Sequence, residues 1–394
     1  MTKSSESRKT KRRDGIRPVT RADGSKRWEV VVELAPDPAT GKRRQATKTC
    51  ATYKEAREYR TKWLRELYEG TAVDRSPTTV REVMEYWLDT HARPRLRAKT
   101  IYDYEQIIQR YIYPMLGRVK VQDLTTRRVQ QMYTQLLDSG CGASSIRRIH
   151  LHLNQGLKQA VAHGLIARNV AELAIQPKAQ SREMQVWNMT EAQTFMNIAA
   201  ESRYGPLWEM ALSTGMRRGE CLGVRWRDID FAEGELRVVQ TVGSVKGRVE
   251  IKAPKTKASR RTIPLAEQLI AALKEHKCAQ NERRLAHADL WQDNDLVFCT
   301  DLGYPINPDN IAADFRRLVH IADVPRIRVH DLRHTYVTLA LQAGVNIRVI
   351  SELIGHSNVK ITLSVYAHVM PEQRTEGVQK MGALLYKQYS SHNA

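Results

Sequence analysis

The chain has 394 residues, is 42% hydrophobic and carries a formal charge of +20, with an isoelectric point near 9.8. That length suits two or three domains with real cores, and the charge points to a polyanionic partner. Three classes are excluded: no apolar run reaches the roughly 18 residues of a membrane span, the basic start MTKSSESRKTKRRDG lacks the apolar stretch of a secretion signal, and the scattered Cys50, Cys141, Cys221, Cys278 and Cys299 form no CxxC pair. The last point argues against a structural zinc or a disulfide frame and for a reducing cytoplasm.

The charge is unevenly spread. Residues 1–70 hold 19 Lys and Arg against 10 Asp and Glu, and residues 71–180 hold 16 against 9, whereas residues 181–394 hold 28 against 24. The first half is therefore the electrostatic grip, and chemistry in the second half must come from individually placed residues.

In chain order, residues 1–15 are polar and basic, in keeping with a bare tail or a DNA-lying arm alike. A short strand at 16–20, WEVVVEL at 28–34 and RRQATKTC at 43–50 read as strands, the last two separated by the turn APDPATGK. Thr52 and Glu55 form a capping box for a helix with Ala56, Tyr59, Trp63, Leu64 and Leu67 on one face. Arg43, Arg44 and Lys48 on the last strand are placed to enter a major groove, which admits a β-ribbon. After a linker at 70–79, four helices are predicted, at about 80–88, 99–113 (stopped by Pro114 and Gly117), 126–138 and 143–163. Basic clusters lie near their starts: Arg93, Arg95, Arg97 and Lys99; Arg127 and Arg128; Arg147 and Arg148. Such positions suit phosphate contacts.

A polar hinge at 176–185 leads into the last part. Helices are predicted at about 190–200 and 206–213, strands at 235–242, 248–254 and 260–265, a long helix at 266–284, an apolar segment at 295–300, and helices at 310–320, 330–343, 347–354 and 361–369. The basic turn KTKAS joins the second and third strands. The fold class is thus multidomain α+β: a small β-sheet plus helix domain (1–70), an all-α domain (77–175), and a mainly α domain with a small antiparallel sheet (185–385).

The last domain carries the chemistry. HDLRHT puts His330 and Arg333 three apart, on one helical face, with Leu332, Tyr336, Leu339, Ala340 and Ala343 expected to form the opposite, buried face. Alone, such a pair means little. LIGHSN then sets His356 after a helix-ending Gly, and Tyr366 follows ten residues later. Upstream, TGMRRGE places Arg217 after a Thr-Gly turn, with Glu220 three residues on, and Lys255 or Lys257 sits in the turn KTK. Cations that hold charge beside a hydroxyl that attacks suit phosphoryl chemistry. There is no P-loop pattern and no carboxylate cluster of the two-metal kind.

In order and spacing, TGxRxxE, a β-turn Lys, HxxR, GH and Tyr resemble the tyrosine recombinases of the phage-integrase family, and the resemblance covers the whole chain in three parts. The first resembles the arm-binding domain of phage and conjugative-transposon integrases, the second the SAM-like helical core-binding domain, the third the catalytic domain. The resemblance implies that Arg217 and Arg333 clamp the non-bridging oxygens, His356 adds a donor, His330 assists the proton or the phosphate, Lys255 (or Lys257) protonates the leaving oxygen, and Tyr366 attacks to form a phosphotyrosine ester. Tyr336, Tyr386 and Tyr389 are nearby alternatives to Tyr366. No metal, nucleotide or other cofactor is needed for such chemistry. It further implies core-type and arm-type attachment sites in double-stranded DNA, a homotetramer working through a Holliday junction, an excisionase-type directionality factor and a DNA-bending protein as accessory partners, and a cytoplasmic, nucleoid-associated place in a bacterial host. A type IB topoisomerase and a non-catalytic DNA-binding regulator on the same scaffold are the competing classes.

Overall fold

The computed structural model describes residues 15–34, 43–68, 73, 76–178, 184–253, 260–355, 378, 379, 381–383 and 385. The chain divides into two compact units, Met1–Gln180 and Ser181–Ala394.

The first unit opens with an antiparallel sheet of β1 (Ile16–Thr20), β2 (Lys26–Leu34) and β3 (Arg44–Cys50), backed by α1 (Tyr53–Tyr68). The β1–β2 turn is set by Gly24, at φ +81, and by the Asp23 carboxylate, which accepts the Ser25 N–H at 2.9 Å. The two-residue alternation of β2 sends Val30 and Val32 into a core with Ile16, Cys50, Ala56 and Trp63. Thr52 accepts the Glu55 N–H at 3.2 Å, and Glu55 caps the Ala51 N–H at 3.0 Å. Leu64, expected inward, is exposed. Lys48 also departs from expectation. It lies on the α1 side of the sheet, its ammonium 4.2 Å from the centroid of the Tyr59 ring, because the alternation that buries Cys50 turns every second residue inward. Arg43 is exposed and ion-paired with Glu33.

A second core belongs to α2 (Val80–Trp87), α3 (Ala98–Ile107), α4 (Tyr113–Leu116), α5 (Thr126–Asp138) and α6 (Ala143–Ala162). A reciprocal Thr79–Glu82 capping box starts α2. Pro114, expected to stop the second helix, does not. A π-helical turn at Ile108–Ile112 ends just before it, so Pro114 falls in the first turn of α4, where its missing N–H costs nothing. Gly156 permits close approach of α6 to α2: a Cβ there would stand 2.3 Å from the Met84 sulfur.

His152 is 2% exposed, its ring centroid 4.1 Å from that of Tyr104, and neither ring nitrogen has a hydrogen-bond partner among the described residues. Burial first, then nearby Arg148, push its pKa down to about 4. Between roughly pH 6.5 and 4 the unfolded chain binds a proton that the folded chain refuses, so stability falls as pH falls through that window, by roughly 3 kcal/mol. Urea melts of wild type and His152→Phe across these pH values should diverge in slope; parallel slopes would refute the assignment.

The second unit contains α7 (Met189–Ala200), α8 (Gly205–Thr214), α9 (Arg218–Cys221), β4 (Ile229–Asp230), β5 (Glu235–Val238), β6 (Thr241–Val245), β7 (Arg248–Lys252), β8 (Arg261–Pro264), α10 (Glu267–Ala286), α11 (Pro308–Ile321), α12 (Asp331–Gln342) and α13 (Ile347–Ile354). Trp187, Phe195, Trp208 and Phe315 fill its core, with Trp208 and Phe315 centroids 5.2 Å apart. The predicted strand 235–242 is two strands in two sheets. β5 joins the order β4-β5-β8, with Leu236 opposite Ile263, and β6 pairs with β7, with Val242 opposite Ile251. Strands β7 and β8, sequential and joined through KTKAS, therefore lie in different sheets. The apolar segment 295–300 forms only the isolated bridges Arg225–Leu296 and Cys299–Pro305. The predicted helix 361–369 lies outside the described residues, and no helix among those described is long and apolar enough to cross a membrane.

Candidate active site

Two chain turns build the site. The first follows α8, which ends at Gly215 in the left-handed region, φ +61. Glycine is needed there twice over: a Cβ would also meet the Tyr336 ring at 2.4 Å. The chain then reverses so that Arg217 is the N-cap of α9. Its guanidinium donates to Glu220 Oε1 at 2.8 Å, and its backbone N–H donates to Glu220 Oε2 at 3.1 Å. Arg261, at the start of β8, donates to the same Oε2 at 2.9 Å and to the carbonyl of Leu353 near the end of α13. Glu220 is 4% exposed. Burial alone would raise its pKa, but Arg261 and then Arg217 hold the carboxyl below its usual range. The carboxylate thus locks Arg217 to the β8–α13 frame.

The second turn is the start of α12. His330 is its N-cap, and Arg333 lies one turn on, donating to the Gly215 carbonyl at 2.9 Å. Here the sequence expectation needs correcting. Arg333 does not point away from the core: it is 3% exposed, and α12 is buried on most sides through Leu332, Thr335, Val337, Thr338 and Leu341. Ala343, expected inward, is exposed. Arg333 is thus a buried cation tied to the segment carrying Arg217. Asp331, also buried, accepts from Arg328 at 2.7 and 3.0 Å and from its backbone N–H at 2.8 Å, which fixes the approach to the helix. The His330 ring meets His334 edge-on at 5.2 Å. Burial of the ring, then His334 and Arg333, push the His330 pKa down to about 4, although the residue as a whole is exposed. At neutral pH its imidazole is therefore uncharged, with a ring nitrogen able to accept a hydrogen bond.

Arg217, His330 and Arg333 are brought together. Lys255, Lys257, His356, Tyr366, Tyr386 and Tyr389 lie outside the described residues. Gly355, at φ +69, ends α13 immediately before His356. Tyr336 is a packing residue: it sits in a cluster with Val337, Leu341, Ile350 and Ile354, and burial raises its pKa, which suits a nucleophile poorly. The sequence reading missed Arg261, whose signal was the second arginine of the predicted strand RRTIPL, and His334.

In the first unit, Arg95, Arg97, Arg147 and Arg148 are exposed, and no acidic partner is found for them among the described residues. Lys99 is paired with Asp103 at 2.8 Å, and Arg93 with Glu105 at 2.6 Å. Arg44 opens β3.

A braced pair of arginines beside a neutral histidine, one arginine buried and one reaching solvent, has the donors and charge that could stabilise a phosphoryl group. Residues 185–373 match the family described as the phage integrase family, and residues 79–137 match the phage integrase N-terminal SAM-like domain. The chain is 31% identical over 353 residues to a "Tyrosine recombinase XerC-like" protein of Caldanaerobacter subterraneus subsp. tengcongensis, covering 84% of this chain and 90% of that one. It is 26% identical to the ICEBs1 integrase of Bacillus subtilis, over 91% and 97%. Its fold is similar to that of the Tn1549 transposon integrase in complex with a circular intermediate DNA, at TM-score 0.67 and 18% identity over 77% and 99%. It is also similar to that of a lambda integrase tetramer bound to a Holliday junction, at TM-score 0.56 and 19% identity over 86% and 95%. The chain belongs to the phage integrase family, the tyrosine recombinases.

Proposed function

We propose that this tyrosine recombinase integrates, and excises, a mobile element or prophage by cutting and rejoining DNA at specific sites through a covalent 3′-phosphotyrosine intermediate. The observation that carries this reading is the convergence of Arg217, Arg333 and His330 on the segment Gly215–Glu220 and the start of α12. Arg217 and Arg333 hold the non-bridging oxygens as charge develops on them, with His356 as a further donor. Neutral His330 either assists deprotonation of the Tyr366 hydroxyl, whose unperturbed pKa is about 10, by accepting its hydrogen bond, or holds the phosphate. Lys255, or Lys257, protonates the leaving 5′ oxygen. Storing the bond as a tyrosyl ester lets the strand be rejoined without an outside energy source.

The division of labour proposed is residues 1–70 on arm-type sites, 77–175 on the core site and 185–385 on catalysis. Arg43, Arg44, Arg95, Arg97, Lys99, Arg147 and Arg148 are assigned to phosphates or groove edges. Lys48, turned toward Tyr59, is assigned a bracing role rather than a groove contact. By analogy with the lambda integrase tetramer, four copies act together on two DNA sites. An excisionase-type factor and a DNA-bending protein are the accessory partners proposed, in the cytoplasm at the nucleoid.

The test is to trap the protein on a nicked suicide duplex, digest the adduct and map the DNA-linked residue. Tyr366 is the expected attachment. A different tyrosine would overturn the nucleophile assignment, and relaxation of supercoiled DNA without junctions between two marked duplexes would overturn recombination.

A further inference from the structure

A cleft of about 590 Å³ opens beside the site, rimmed by Arg218, Arg316, Arg326, Arg328 and His330 over an apolar floor that includes Ile327. That volume falls in the roughly 300–1,000 Å³ range of ligand clefts. Its charge is local, since residues 181–394 as a whole are nearly balanced. Arg328 is neutralised by Asp331, at 2.7 Å. Arg218 donates to the Pro308 carbonyl at 2.8 Å, and its acid, the largely exposed Asp309, is 3.9 Å away. Arg316 and Arg326 are exposed, with no acidic partner found among the described residues. Four guanidiniums on one cleft, at most half of them matched by acids, repel one another until an anion arrives.

We infer that this cleft is a second phosphate subsite, which seats a phosphodiester flanking the one attacked and thereby sets the register of the strand. The inference rests on the recombinase reading. Arg218 is the immediate neighbour of Arg217, and His330 lines the cleft while capping the helix that carries Arg333, so the subsite and the attacked position share two walls. A strand carries one phosphate per 3.4 Å of axial rise, so a strand held at Arg217 presents further phosphates close by. Four arginines rather than lysines suit forked recognition of phosphate oxygens. Arg316 and Arg326 are the positioning residues to test, because Arg218 and Arg328 also hold the starts of α11 and α12.

The experiment uses full-length protein and its attachment-site duplex as a suicide substrate, with single methylphosphonates placed on either side of the scissile phosphate. At one flanking position, neutralisation should slow wild-type adduct formation about tenfold to a hundredfold, the worth of a charge-assisted contact. The Arg316→Ala/Arg326→Ala variant, slowed on the unmodified duplex, should lose little more at that position. Its salt slope of binding should fall by about one unit, with an unchanged melting temperature. The Arg316→Lys/Arg326→Lys variant should recover the salt slope but not the full rate. If wild type forms adduct and both proteins show the same positional pattern, the subsite is refuted alone. If wild type forms no adduct on the unmodified duplex, the recombinase reading fails and the subsite with it.

Discussion

Arg333→Ala should slow strand cleavage by roughly 10²–10³-fold, the effect of removing one preorganised donor from a developing oxyanion, or about 2.7–4 kcal/mol of barrier. The case for so large a loss is that Arg333 is 3% exposed and held against the Gly215 carbonyl at 2.9 Å. Its charge is therefore fixed in place before substrate arrives, and it acts where water screens it little. The same bond ties α12 to the turn that carries Arg217, so the alanine variant leaves a buried carbonyl without that donor, at about 1–3 kcal/mol of stability. The two losses separate experimentally. Under single-turnover conditions on a suicide duplex the rate constant for cleavage should fall far more than DNA affinity, and Arg333→Lys should keep the fold while recovering only part of the rate, because an ammonium cannot reproduce the fork. Cleavage by Arg333→Ala within tenfold of wild type would remove Arg333 from the site.

The parts of this site that were legible in the sequence are those written by short-range rules. HDLRHT places His330 and Arg333 on one face by helical spacing alone, and the Thr-Gly pair before Arg217 signals the left-handed turn found at Gly215. Strands β1 to β3 follow from alternation, and the helices α5 and α6 from their apolar spacing, in the same way. What was not legible depends on partners far along the chain. Helical spacing suggested that Arg333 faces outward, yet the Gly215 carbonyl, 118 residues upstream, draws it inward. β8 pairs with β5 and not with its predecessor β7, a choice made by the burial of Leu236 and Ile263 against the core rather than by the intervening turn. The inward turn of Lys48 was hidden for a related reason: a basic residue on a strand reads as a solvent contact unless the neighbouring helix supplies an aromatic face such as Tyr59.

The second large effect concerns Glu220, which touches no substrate in the proposed chemistry. Glu220→Gln should destabilise the second unit by about 3–5 kcal/mol, the cost of breaking a buried pair and leaving a cation behind. The cation is Arg261, its side chain 7% exposed and 2.9 Å from Glu220. A glutamine supplies one carbonyl acceptor where the carboxylate serves two guanidiniums and a backbone N–H. For a unit of this size the loss corresponds to a fall in Tm of roughly 6–20 °C. Activity should fall as well, because Arg217 loses its brace, while Glu220→Asp should keep the charge and lie between. The pH dependence identifies the cause. The Glu220 pKa is lowered in the folded chain, so its stabilisation is complete above the unfolded value of about 4.5 and is lost as pH falls below that value through the folded one. Wild type should therefore carry an acid-destabilisation limb below pH 4.5 that is weaker in Glu220→Gln, since the variant has no carboxyl to protonate there. A variant as stable as wild type at pH 7, or one with an unchanged acid limb, would mean that Arg261 and Arg217 are held by the surrounding packing and that the carboxylate between them is incidental to the site.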